Sequence, residues 1–222
     1  MKRSVLLLIP SLALVLAGCG VRDRRPPPRR AGSHPVTLPL PTSRETQACF
    51  ADLSREGVRF SPLPDRDYGR GCQVVGAVQL IDIGVPVTNL TAMRCGLADL
   101  FTAWTRNAVA PAAHQILGSD LVRVESMGTY ACRNVVGNAA YSSRLSGHAI
   151  ANAVDVSGFV LADGRRITIE KDWRSTDPAV RDFLQTIHTS ACKRFGTVLS
   201  PDYNAAHYNH LHLEADQAHF CR

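Results

Sequence analysis

Two hydrophobic spacings run through the chain. Met93, Leu97, Leu100, Phe101 and Trp104 recur at helical spacing, and so do Val180, Phe183, Leu184, Ile187 and Phe195. The first set predicts a helix capped by Thr91 and running to about Val109, with Pro111 starting or kinking a further turn. The second predicts a helix capped by Asp177, with Pro178 in its first turn and Gly196 at its end. A shorter helix over residues 47–56 would bury Phe50 and Leu53. Val58 to Phe60 reads as extended, and Val74, Val78, Leu80 and Ile83 lie in short strands. Longer strands are expected over Leu121–Met127 and Ala153–Leu161, with Asp163-Gly164 turning the latter back into Arg165–Glu170. Thr197–Leu199 and His210–Glu214 close the sheet. Strands with two long helices between them predict an α+β domain, an antiparallel sheet with packed helices.

The N-terminus reads differently. Lys2 and Arg3 precede an apolar run from Val5 to Ala17 that ends in Leu16-Ala17-Gly18-Cys19. The run is short for a membrane-spanning helix and has the form of an export signal. It resembles a bacterial lipoprotein signal, which implies cleavage before Cys19 and lipid on that residue. An ordinary secretion signal is the alternative. Residues 1–18 are thus expected as signal peptide. Residues 19–46, rich in Pro and Arg, are expected as a lipid-anchored linker, and residues 47–222 as the folded domain. The expected location is the periplasmic face of a bacterial membrane, with the outer membrane favoured over the inner.

Charge supports that division. Residues 1–30 hold seven Lys/Arg and one Asp, whereas the other 192 residues hold 18 basic and 18 acidic side chains. The folded domain is therefore neutral, which argues against nucleic acid as a partner. Apart from Cys19 the chain has six cysteines, Cys49, Cys72, Cys95, Cys132, Cys192 and Cys221. In an exported domain an even number predicts disulfides, and six allow 15 pairings. No Cys-x-x-Cys pair is present, which argues against a thiolate zinc site or a redox motif.

Candidate chemistry concentrates in two stretches. In the late strand, His210, His212 and Glu214 share one face, while Leu211 and Leu213 point to the other and into a core. Glu214 either orients a metal ligand or is a solvated strand end, and the latter reading is preferred. Earlier, Ser146-Gly147-His148 leads through small residues to Asp155 inside an apolar strand. A carboxylate there needs a cation, a charged partner or strong donors. His148, Asp155 and one histidine of the late strand would make a site of two imidazoles and a carboxylate, a set that suits catalytic zinc. His207 is either a substrate-side or base residue or a loop histidine without such a role. Ser146 either binds substrate or caps the turn. His34, His114, His188 and His219 have no partner pattern.

His-x6-Asp followed downstream by His-x-His resembles the LAS-type zinc peptidases, which cut D-Ala-D-Ala or peptidoglycan peptides on a hedgehog-like fold. More of the chain is similar to the bacterial extensin-like C-terminal domain family. Gly71-Cys72, Thr129 through Asn134, His148 through Asp155, Gly158-Phe159, Phe195 through Leu199 and Pro201 through His207 carry that likeness, which spans about 47–222. Two positions depart from it, since Gly147 stands where Glu is common and Glu214 where Asp is common. The resemblance implies a disulfide-stabilised hedgehog/D-Ala-D-Ala peptidase-like fold, with Zn2+ on His148, Asp155 and His212. It makes His210 the catalytic histidine beside the metal and places Arg133 to hold substrate; a purely structural Arg133 is the alternative. The implied function is hydrolysis of a peptidoglycan peptide bond, with peptidoglycan and the membrane, through Cys19, as partners. A non-catalytic wall-binding or envelope-organising lipoprotein and a purely structural disulfide domain are the competing readings. Oligomeric state is not expressed in the sequence.

Overall fold

The computed structural model describes residues 39–222, so Cys19 and the linker up to residue 38 lie outside the described residues. In chain order the fold has helix α1 (Ser43–Arg55) and strands β1 (Arg59–Pro62), β2 (Arg66–Asp67), β3 (Gln73–Val74), β4 (Ala77–Asp82), β5 (Val87–Thr88) and β6 (Met93–Arg94). Helices α2 (Cys95–Trp104) and α3 (Ala110–Leu117) follow, then strands β7 (Leu121–Gly128), β8 (Ala153–Leu161) and β9 (Arg166–Thr168). Helices α4 (Ile169–Asp172) and α5 (Pro178–Arg194) precede strands β10 (Thr197–Leu199), β11 (Leu211–Glu214) and β12 (Phe220–Cys221). No helix among the described residues is long and apolar enough to cross a membrane.

The main sheet runs β12-β10-β11-β8-β7-β5, and β9 pairs with β8 beyond the end of β11. Its centre is antiparallel, and its two outermost pairs, β10 with β12 and β5 with β7, are parallel. Two smaller antiparallel sheets, β1-β4-β6 and β2-β3, flank it. The expected mixture of helices with antiparallel sheets is therefore present.

Helices α2, α3 and α5 supply much of the main core. Trp104 is fully buried between Phe101, Phe159 of β8 and Phe195, and its indole N–H donates to the Ile187 carbonyl at 3.0 Å. Leu211 and Leu213 sit in this same core at zero exposure, which puts the odd and even positions of β11 on opposite faces as the alternation predicts.

Several element ends differ from expectation. Thr91 caps no helix; its hydroxyl pairs with that of Thr129 at 2.8 Å, and α2 begins only at Cys95, after Met93 and Arg94 have paired with β4. A strand pairing thus outcompeted a good capping residue. Helix α2 continues through one wide π-turn, Thr105–Val109, into α3. Pro111 lacks the amide that would close an ordinary turn there. The first helix starts at Ser43, four residues into the expected linker, because Thr42 and Glu45 form a reciprocal capping box. Helix α5 is capped by Asp177 with Pro178 next, as its sequence predicts, but it ends at Arg194, before Gly196.

The six cysteines pair as Cys49–Cys95, Cys72–Cys132 and Cys192–Cys221. The first ties α1 to α2. The second ties the end of the β2–β3 hairpin to the segment before Arg133. The third ties α5 to β12.

Candidate metal centre

Three neighbouring strands build the floor of the site. β8 lies between β7 and β11, with Asp155 opposite His212 on one side and Gly128 on the other. Val154 and Val156 turn into the core, so Asp155 projects to the face that carries His212. His148 arrives from the short 3-10 turn Gly147–Ile150 ahead of β8. Ser146 caps that turn, its hydroxyl accepting from the His148 amide at 3.3 Å. Ser146 is buried, which gives the capping reading its support.

His148, Asp155 and His212 are buried, and their donor atoms converge. His148 Nε2 lies 3.2 Å from His212 Nδ1 and 3.1 Å from Asp155 Oδ2, and His212 Nδ1 lies 2.8 Å from Asp155 Oδ1. Bonds of about 2.0–2.1 Å at tetrahedral angles put two zinc ligands about 3.3 Å apart. The three donors are thus spaced as one small cation requires.

The far nitrogens are also committed. His148 Nδ1 donates to the Thr129 carbonyl at 2.6 Å, which leaves the Nε2 lone pair facing the cluster. His212 Nε2 donates to Glu214 Oε1 at 2.8 Å, which leaves Nδ1 facing it. Such oxygen acceptors behind ligating imidazoles fix ring and tautomer. The donor set and its backing therefore fit a zinc ion.

Glu214 is not a solvated strand end. Besides holding His212, the same Oε1 accepts from the Gly147 amide at 3.2 Å. A Cβ at Gly147 would stand 2.6 Å from the Glu214 carboxyl carbon. Gly147 thus leaves the space that the long side chain of Glu214 fills. Gly147→Ala should push the carboxylate off His212 and weaken zinc binding about 10–100-fold. Gly147→Ala combined with Glu214→Asp should recover most of the loss. Titration against a competing chelator measures both, and an unchanged affinity in the single variant would refute this packing.

His207 and His210 complete the wall. With His212 they form a second convergent trio that shares one member with the first. His207 Nδ1 donates to Asn204 Oδ1 and His210 Nδ1 to Asn209 Oδ1, at 2.8 and 2.9 Å. Nε2 of His210 is 3.5 Å from Asp155 Oδ1. Arg133 brings Nη2 to 3.7 Å from Asp155 Oδ2 while keeping part of its side chain exposed. Above these groups opens a cleft of about 630 Å³, walled by Met127, Tyr141, Leu199, Tyr203 and Phe220. Asn138 donates to the Tyr203 hydroxyl at 3.0 Å, and Asn204 donates to the Gly137 carbonyl at 3.1 Å, tying the two walls together.

Every candidate of the described sequence except the cysteines therefore lies in or beside one cleft. Thr129, Asn204 and Asn209 support it from behind without any signal of their own in the sequence, whereas Glu214, one of whose two sequence readings is to orient a ligand, does hold His212. Asn209 adjoins His210, and Thr129 precedes Tyr130 in a stretch already notable, but hydrogen-bonding partners carry no spacing signal of their own.

The electrostatics divide the group. Burial pushes His207 down to about 4 and lowers His210 as well, so both rings are neutral at pH 7. Burial also opposes charge on His212, yet Asp155 and Glu214 outweigh it and push the metal-free ring up to about 10. Burial raises Asp155, but in the metal-free protein, where the facing nitrogens carry protons, hydrogen bonds from His148 and His212 hold it well below the usual carboxylate range. Glu214 is held low by His212 in the same way, against its burial.

These directions set an acid response. Below pH 6.5 an unfolded chain protonates His207, while the folded one resists until about pH 4, so folding stability falls across that window. His212 has the opposite sign; its contribution is complete below pH 6.5 and is lost only as pH rises towards 10. Chelator-treated protein should lose on the order of 2–3 kcal/mol through His207 between pH 7 and 4. Urea unfolding at each pH should show this slope flattened in His207→Gln; equal slopes in both proteins would contradict it.

An α+β domain with three disulfides and a buried cluster of His and Asp side chains under an open cleft is the class that fold and site define. The chain belongs to the family described as extensin-like protein C-terminus, whose model matches residues 47–222. No curated protein matches the chain, and no solved structure does.

Proposed function

We propose that this domain is a zinc-dependent peptidase of the LAS type, with a hedgehog/D-Ala-D-Ala peptidase-like fold, that hydrolyses an amide bond in the stem peptides or cross-links of peptidoglycan. The observation that carries the reading is the convergence of His148 Nε2, Asp155 and His212 Nδ1 at the floor of an open cleft, with both imidazoles backed by oxygen acceptors. Zinc held by these three residues would supply a water of pKa about 7 and a Lewis acid for the scissile carbonyl.

The chain's own groups do the rest. His210 is neutral, so its Nε2 lone pair takes a proton from the attacking water and returns it to the leaving amine. Asn209 holds the ring in that tautomer. Arg133 offers a partly exposed guanidinium beside the reacting centre, suited to a peptide carboxylate. The apolar walls accept the aliphatic parts of such a peptide. A lipid on Cys19 would hold the domain beside its polymer, at the periplasmic face of a bacterial membrane.

Zinc-loaded protein is incubated with purified peptidoglycan and the released fragments are identified by mass spectrometry. Peptide cleavage that disappears in both His148→Ala and His210→Ala is the expected result. Stoichiometric zinc without cleavage of any wall fragment would overturn the hydrolase and leave a binding protein. Protein that takes up no zinc would overturn the metal centre itself.

A further inference from the structure

The third disulfide carries a feature that the other two lack. His188 and Cys192 are one turn apart on α5, and Cys221 reaches the same point from β12. His188 Nε2 lies 3.7 Å from Cys192 Sγ and 3.7 Å from Cys221 Sγ. Trp173 packs edge-on against the imidazole at 5.4 Å between centroids and holds its orientation. All three residues are half-buried. Among the described residues, no His, Asp or Glu joins the sulfurs of the other two bridges in such a cluster.

Around a tetrahedral zinc ion, bonds of about 2.3 Å to sulfur and 2.0 Å to nitrogen place S and N about 3.5 Å apart. The imidazole already stands near that distance from both sulfurs. Only the two sulfurs must separate, to about 3.8 Å, and that is what breaking their bond allows. We propose that reduction of Cys192–Cys221 creates a second cation site, in which His188, Cys192 and Cys221 bind a divalent ion of the zinc class with a water as fourth ligand. The absence of a Cys-x-x-Cys pair hid this set, because its two cysteines are 29 residues apart.

The chemistry balances with a dithiol as reductant. One thiolate of the dithiol attacks one sulfur of the bridge, and the S–S electron pair leaves on the other as thiolate. The second thiol of the reductant then displaces the mixed disulfide, giving two cysteine thiols and one oxidised dithiol. Cation binding releases the two thiol protons. Burial lowers His188, so its ring offers a lone pair at neutral pH.

The full chain is reduced with a water-soluble phosphine, which does not itself compete as a thiol ligand. It is then alkylated with and without Zn2+, and each cysteine is followed by peptide mapping. Zinc should slow labelling of Cys192 and Cys221 by at least about tenfold and leave Cys49, Cys72, Cys95 and Cys132 within about twofold. His188→Ala and His188→Gln should each lose most of that protection. The oxidised forms of both variants are checked for native circular dichroism before use. Equal protection of all six cysteines, no protection at all, or full protection in a folded His188 variant would overturn the site. Residue-by-residue labelling keeps the result independent of zinc at His148, Asp155 and His212.

Discussion

On the proposed zinc-peptidase reading, Asp155→Asn should empty the His148–Asp155–His212 site while preserving its shape. Asparagine keeps the size of the side chain but loses the charge that two imidazoles converge on. Zinc affinity should fall by more than the 10–100-fold typical of losing a group behind the ligands, and peptide hydrolysis should fall to background. Without zinc the same change leaves the buried His212 ring with Glu214 as its one carboxylate partner. Removing one partner of a buried ion pair costs about 3 kcal/mol or more, so chelator-treated Asp155→Asn should unfold at clearly lower urea. Metal analysis, chelator competition and urea unfolding give the three readouts. Retention of tight zinc binding by a folded Asp155→Asn protein would place the ion elsewhere, with the trio of His207, His210 and His212 as the set to test next.

Loss of the Cys72–Cys132 bridge should have the largest effect on stability near the cleft. It closes a loop of 60 residues, for which loop-closure entropy predicts about 4 kcal/mol. Its location makes the loss local as well as global. Cys72 is fully buried against Leu145 and Ala149, directly beneath the turn that carries His148. Cys132 precedes Arg133, whose carbonyl accepts from the Ser146 amide, and Ala131 donates to the His148 carbonyl. Cys72→Ala with Cys132→Ala should therefore lower the unfolding free energy by about 4 kcal/mol and weaken zinc binding through His148. A loss under about 1 kcal/mol in urea titrations would mean that the segment is held by its hydrogen bonds alone.

Local signals explain which elements were legible. Helix α5 carries an aspartate cap, a proline in its first turn and an apolar stripe, and all three act within one stretch of chain. The turn after β8 shows Gly164 at φ 89°, a conformation that glycine adopts freely. The division of β11 into leucine core face and histidine site face follows from the two-residue period of a strand. The Thr91 cap failed for the opposite reason. Thr91 is a sound cap in isolation, but Thr129, distant in sequence, takes its hydroxyl. Glu214 likewise reads as a strand-end carboxylate until Gly147 folds over it.

Periodicity along the chain puts His210, His212 and Glu214 on one face, local signals mark the caps of α5, and His148 and Asp155 stand seven positions apart. These are periodic or adjacent relations, and a single chain displays them. Tertiary structure alone decided which nitrogen of each histidine faces the cluster, because the acceptors Thr129 and Glu214 come from other elements. It alone chose one disulfide pairing among 15. It alone brought His188 between two sulfurs that the chain separates by 29 residues. Hydrogen bonds and cross-links depend on distances of a few ångströms, and those are set when the sheet and helices pack, not by spacing along the chain.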